Sequence, residues 1–333
     1  MTTDKEMPVM PPSKGNTNSG SRAQRAPGKR KNVLTLLPPT AIGCISMLLM
    51  ILNTLFWACF LFPMAAVKLL IPVRSWQDRC NSVLNIVAAC WIACNNANLR
   101  ITKRITWNVK GIENLAEKGW YLVISNHQSW VDILVLQKVF HRKIPMLKFF
   151  LKKELIWVPV MGLAWWALEF PFMKRYSREF LKKNPHMQGR DLEITRKACE
   201  RFSRMPIAVM NFVEGTRFTS SKHKSQASPF THLLKPKAGG ISFVLSAMNG
   251  SLTHILNVTI IYPEGAKTFW QFLCCRDCEV AVRVEAIPIT TDLVGDYSND
   301  PRYQERFQAW LNRLWHEKDH AISDFMKIKG IAA

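Results

Sequence analysis

Apolar residues along this chain fall into two regimes. From position 32 to position 67 there is no charged side chain, and positions 41–62 form a nearly continuous apolar run. About 20 such residues cross a hydrocarbon layer as a helix, so the run predicts a membrane-embedded helix. Pro63 predicts its end. Two weaker apolar pieces follow, one at 64–73 interrupted by Lys68, the other at 83–97. A single crossing would carry the rest of the chain to the far side. A hairpin, or a segment dipping into one leaflet, would return it. The pattern is compatible with either.

Beyond about residue 105 the rhythm changes. Short apolar runs at 120–125, 207–213, 256–262 and 280–286 read as buried strands. Helical patterns lie between them, at 191–204 and 241–248. Near the end Phe307, Trp310, Leu311, Leu314, Ile322, Phe325 and Met326 recur at helical spacing, a stripe suited to core packing. Strands alternating with helices predict a layered α/β domain. The organisation expected is a disordered basic tail over 1–37, a membrane-anchoring helical region over 38–100, and an α/β domain over 101–333.

Charge adds a direction to this picture. The 333 residues hold 45 Lys plus Arg against 24 Asp plus Glu, a formal net charge of +21. Such an excess suits nucleic acid, an anionic membrane surface or acidic substrates. Seven basic residues lie in the first 31, among Pro, Gly, Ser and Asn, too polar a stretch to bury a core. The apolar run follows Lys29, Arg30 and Lys31 closely, and the chain has twelve Trp. Both features favour the membrane over nucleic acid, and the basic flank predicts a cytoplasmic N-terminus. Cys274, Cys275 and Cys278 form a CCxxC cluster without a second ligand pair, which reads as reduced thiols rather than zinc.

Several chemical signatures are absent: GxSxG, GxGxxG and a Walker loop. What remains begins with NHQSWVD at residues 126–132. On one continuous helix His127 and Asp132 would sit about 140° apart and could not touch. They can touch if His127 lies in a loop after a strand and Asp132 in the first turns of the next helix, capped by Ser129. That gives an imidazole oriented by a carboxylate, the base half of a triad without a serine. A structurally satisfied histidine is the plainer alternative.

FVEGTR at residues 212–217 follows a second strand. Gly215 lets backbone N–H groups turn toward an anion, Thr216 adds a hydroxyl, and Arg217 adds a fork that matches phosphate. Glu214 would fix the arginine or the turn. An ordinary polar turn is the alternative. KKELIWVPVMG at 152–162 and FPFMKR at 170–175 place Lys152 and Arg175 at the ends of a nearly uncharged stretch. That suits a surface where acyl chains and phosphates meet, or a buried helix with solvated flanks. IIYPEG at 260–265 is a strand ending in a proline turn.

Together and in this order, the four segments resemble the PlsC-like glycerophospholipid acyltransferase family over residues 105–290. NHQSWVD is similar to its NHxxxxD motif, FVEGTR to FPEGTR, and the other two to its second and fourth motifs. The apolar N-terminus, FVEG and the ELIWVPVMG segment resemble the bacterial inner-membrane and lysocardiolipin branches most. Val213 departs from the proline usual in the family.

The resemblance implies His127 as general base and Asp132 as its partner. It implies Gly215, Thr216 and Arg217 on an acceptor phosphate, with Asn126, Glu214, Lys152 and Arg175 in the same substrate-binding set. It implies acyl transfer from an acyl thioester, acyl-CoA or acyl carrier protein, to 1-acylglycerol 3-phosphate, with no cofactor and no metal. Remodelling of another lysophospholipid, or lipid hydrolysis, are the alternatives. The partners expected are an anionic phospholipid membrane and a lysophospholipid, not nucleic acid. The catalytic domain would face the cytoplasm at a bacterial inner membrane.

Overall fold

A computed structural model describes residues 37–173, 193, 196–197, 199–200, 205–248, 250–297 and 299–331. Most of the expected basic tail, most of the helical pattern at 191–204, and Arg175 lie outside the described residues.

The apolar run is helix α1 (Pro39–Leu70). It is long and apolar enough to cross a membrane by length and composition. Pro63 does not end it, contrary to expectation; the helix continues another seven residues, to Leu70. A proline inside an apolar helix is tolerated where packing neighbours hold the turn, and Leu61 and Ala65 on either side are buried. Helix α2 (Arg74–Thr102) returns antiparallel after three residues.

Polar groups, not only apolar ones, join the two helices. Asn53 donates to Trp91 O at 3.0 Å and to Asn95 Oδ1 at 2.9 Å, and Trp91 Nε1 donates to Thr54 Oγ1 at 3.1 Å. Deeper in the hairpin, Asn98 Nδ2 donates to Ser46 O at 2.8 Å. The apolar exterior of α1 is left exposed, including Leu48, Leu52, Leu55, Phe56 and Phe60.

The remainder is an α/β layer. Six strands form one mixed sheet in the order β1 (Arg104–Lys110), β8 (Asp277–Pro288), β7 (His254–Ile261), β2 (Tyr121–Ser125), β6 (Ala208–Phe212), β3 (Leu147–Phe149). Neighbours pair in parallel except β7 with β8. A two-stranded piece pairs β4 (Leu151–Lys152) with β5 (Phe172–Met173).

β2 sits in the middle, covered on both faces, and all five of its residues are buried. Tyr121 and Val123 point into the core shared with α1, α2 and helix α3 (Val131–Phe140). Leu122 and Ile124 point into the opposite core, shared with a helix at Ala238–Ala247 and the C-terminal helix at Pro301–Ile328. Full burial of side chains such as Leu122, Ile124 and Leu136 contributes about 1.5–3 kcal/mol each.

The C-terminal helix buries Phe307, Leu311, Leu314, Ile322 and Phe325, the stripe its periodicity predicts. It also buries Trp315 and Lys318, which the periodicity does not single out. β1 went unread in the sequence, although Ile105, Trp107 and Val109 alternate with polar residues in the period-two pattern of a half-buried edge strand.

The turn into β8 brings Cys275 and Cys278 together, with their Cα atoms 6.4 Å apart. Cys274 keeps a free thiol. It packs where α1 passes closely at Gly43: a Cβ there would come within 2.5 Å of its sulfur.

Candidate active site

Three neighbouring parallel strands, β6, β2 and β7, end on the same side of the sheet. Each delivers one of the sequence motifs at its carboxyl end, where ligands of open α/β sheets bind. NHQSWVD leaves β2, FVEGTR leaves β6, and Tyr262 leaves β7.

His127 lies in the loop after β2, and Asp132 lies in the first turn of α3. His127 Nδ1 and Asp132 Oδ2 are 2.8 Å apart. The same oxygen accepts the backbone N–H of Gln128 at 2.6 Å and of Ser129 at 2.9 Å. The other oxygen, Oδ1, accepts Tyr262 Oη at 2.6 Å. Four donors thus fix a carboxylate that is itself fully buried. With Nδ1–H donated to Asp132, Nε2 is left as the acceptor of the ring. Ser129 Oγ accepts Val131 N–H at 3.2 Å, a cap at the helix entry.

Two contacts here were invisible in the sequence. Tyr262 is the second support of Asp132, and IIYPEG gave only a strand and a turn to read. Phe212 stacks on the imidazole, ring centroids 3.8 Å apart and planes 12° apart. It fixes the ring plane while Asp132 fixes its rotation. The two loops are further tied by Phe218 N–H donating to His127 O at 2.7 Å. Burial and the Asp132 charge push the Tyr262 phenol well above its ordinary range, so it remains a donor.

A cavity of about 860 Å³ opens beside this dyad. His127, Lys152, Gly215, Thr216 and Arg217 line part of it. Most of the remaining wall is apolar, with Leu61 of α1, Ala88 of α2, Leu134 of α3 and Phe170 among its residues. The α1–α2 hairpin is therefore part of the cavity wall. The Arg217 guanidinium lies over the Trp130 ring, 4.9 Å from its centroid. Gly215 adopts φ +70°, a conformation that glycine alone reaches without strain.

Asn126 and Glu214 do not face this cavity, and their expected contact with substrate is corrected. Asn126 is fully buried, and both ends of its amide bond the β7 backbone at Ile260, each at 2.9 Å. It splices the His127 loop to β7. Glu214 turns into the core behind the loop, only 1% exposed. Its oxygens make no close hydrogen bond; the backbone of His127, the Lys318 ammonium and the Trp315 indole stand around it. Burial pushes its carboxyl up to about 8. Burial likewise pushes Lys318 down to about 7, while its Nζ donates to Val258 O at 2.6 Å and Thr259 Oγ1 at 3.0 Å.

Val213, the departure from the family pattern, is buried and donates its N–H to Ser125 O at 3.4 Å, which a proline there would not do. Among the described residues no group of three or more His, Cys, Asp or Glu is placed to hold a metal ion.

Comparison with known proteins agrees with these motifs. Residues 106–263 match the family model described as Acyltransferase. The mouse protein named 1-acyl-sn-glycerol-3-phosphate acyltransferase gamma is 26% identical over 254 residues, covering 72% of this chain and 60% of that protein. The human protein of the same name, delta, is 23% identical over 209 residues, covering 60% of this chain and 51% of that protein. The chain thus spans only about half to three-fifths of these relatives' length. A crystal structure of the 1-acyl-sn-glycerophosphate (LPA) acyltransferase PlsC from Thermotoga maritima aligns with a TM-score of 0.47 at 15% identity, over 82% of this chain and 95% of that one. The dyad and the EGTR turn both lie inside the span, residues 106–263, that matches the Acyltransferase family model.

Proposed function

We propose that this chain is a membrane-bound O-acyltransferase that moves a fatty acyl group from a thioester to 1-acylglycerol 3-phosphate, giving phosphatidic acid. The observation that carries the reading is the meeting of an oriented imidazole, a cationic rim and an apolar cavity at one place. An acceptor with a phosphate at Arg217 and Thr216 can lay its free hydroxyl at His127. An acyl chain in the cavity brings its thioester carbonyl to the same point.

The chemistry then needs only orientation and proton transfer. His127 Nε2 takes the hydroxyl proton, and Asp132 stabilises the imidazolium that forms. The oxygen attacks the thioester carbonyl directly. The C–S bond breaks, and the thiolate leaves with the proton returned from the imidazolium, giving an ester and a free thiol. No acyl-enzyme is involved. Lys152, which lines the cavity, would stabilise the oxyanion or the phosphate.

The donors are acyl-CoA or acyl carrier protein, both cytoplasmic and acidic, and the +21 charge steers them. The α1–α2 hairpin brings the chain back to the side it came from, which fits a catalytic domain on the cytoplasmic face of a membrane. On the resemblance, that membrane is the bacterial inner membrane.

The test is acyl transfer from labelled acyl-CoA to lysophosphatidic acid in membranes holding wild type or His127→Ala. Wild type is expected to form labelled phosphatidic acid. His127→Ala is expected to lose turnover by about 10²–10⁴-fold while retaining lipid binding. Equal activity in both removes His127 as the base. No product from either, with product from lysocardiolipin or another lysophospholipid, moves the reading to a remodelling enzyme.

A further inference from the structure

The turn after β6 is surrounded by more positive charge than its motif supplies. Arg217 belongs to the motif; two lysines outside it close on the same residues. Lys222, from the helix at Ser220–Ser225, donates from Nζ to Thr216 Oγ1 at 2.7 Å and to Arg217 O at 3.2 Å. An ammonium has three donors, so one remains. Lys237 reaches Gly215 from the segment before the next helix. Its Nζ lies 3.3 Å from the point a Cβ on Gly215 would occupy. Its own backbone N–H is tied to Val213 O at 2.9 Å, which fixes where the side chain starts.

Among the described residues, no carboxylate lies within ion-pair distance of Arg217, Lys222 or Lys237. The nearest acid in sequence, Glu214, is turned into the core and made neutral there by burial. Arg217, Lys222 and Lys237 come from three segments and adjoin one glycine turn without a paired carboxylate, an arrangement that favours an anion there. An acceptor whose phosphate is a diester brings one negative charge. A terminal phosphomonoester brings about 1.5–2 near pH 7 and a third free oxygen.

We propose that Lys222 and Lys237 complete, with Arg217, a three-cation seat for a phosphomonoester dianion, and that this seat selects acceptors with a terminal phosphate over phosphodiester lipids. The selection rests on the acyl-transfer reading above; the binding does not.

Two measurements keep them apart. The first is ³¹P NMR line broadening of sn-glycerol 3-phosphate and of glycerophosphoglycerol by the full chain in neutral detergent micelles. Wild type is expected to favour the monoester. Lys222→Met and Lys237→Met are each expected to weaken monoester binding about tenfold or more while diester binding stays within about twofold, and Lys222→Arg is expected to restore it. The second is steady-state acyl transfer to lysophosphatidic acid, where KM is expected to rise with the binding loss and kcat to stay within about threefold.

The seat is overturned if wild type shows no preference for the monoester. It is equally overturned if either Met variant binds the monoester normally, or loses monoester and diester alike. Monoester preference without acyl transfer would sink the proposed reaction and leave the seat standing. Acyl transfer to lysophosphatidic acid with unchanged KM in both Met variants would do the reverse.

Discussion

Tyr262 holds the one Asp132 oxygen that His127 does not use. Replacing it with phenylalanine leaves the ring and removes a single buried donor. Asp132 can then rotate, and the imidazole with it. Tyr262→Phe is expected to lower kcat about tenfold with KM nearly unchanged, read in the same acyl-transfer assay. At this scale much of the site was legible. The five-residue spacing of His127 and Asp132 permits a contact only in a loop-then-helix placement, and that placement is found. Tyr262 and Phe212 were not legible, because a contact between separate strands leaves no trace in the spacing of either. Asn126 and Glu214 were read as substrate contacts because they adjoin functional residues. Adjacent residues at the end of a strand point to opposite sides, so a neighbour of a site residue faces the core as often as the cavity.

Between elements, one acid ties both helices of the hairpin to the α/β domain. Lys68, in the last turn of α1, pairs with Glu169 at 2.5 Å, and Asn81 of α2 donates to the other Glu169 oxygen at 3.4 Å. Lys148 of β3 is buried nearby and donates to Leu168 O. Burial works to raise the Glu169 carboxyl, but the Lys68 hydrogen bond and charge outweigh it and hold it below its ordinary value. A carboxylate depressed in the folded state contributes stability above its ordinary pKa of 4.5 and loses it as pH falls through the folded value. Glu169→Gln is therefore expected to lower Tm near neutral pH and to flatten the loss of Tm on acidification, measured by thermal melts across pH. Nothing in the sequence around Glu169 points to Lys68. This partner lies 101 residues away, in a helix that Pro63 was expected to have ended.

For the molecule as a whole, the buried pair behind the EGTR turn sets a pH signature. Glu214 rises from 4.5 to about 8 on folding, so the stability of its neutral form is full below 4.5 and lost as pH rises toward 8. Lys318 falls from 10.5 to about 7, so its contribution is full above 10.5 and lost as pH falls toward 7. The two limbs oppose each other and meet near neutrality. Wild-type Tm is expected to decline from pH 5 toward neutral and to level or recover above it. Glu214→Gln is expected to remove the acid-side decline; an unchanged profile would place the ionisation elsewhere. The layered α/β class was legible from alternating apolar runs, but the reach of the C-terminal helix to the underside of the EGTR turn was not. A lysine inside an apolar stripe reads as a solvated interruption until the strand residues it bonds, here Val258 and Thr259, are known.

The cavity wall that α1 and α2 supply has a practical corollary. A membrane tether is usually a handle that can be cut away to leave a soluble reagent. Here α1 is also masonry: removing residues 1–73 would take Leu61 and its neighbours out of the pocket and open it on one side. The trimmed protein is expected to be inactive even when supplied with water-soluble short-chain substrates, and grafting the hairpin of a relative is expected to change which acyl chains are accepted. Anchor and ruler would then be inherited together, so that a change of membrane partner is also a change of product.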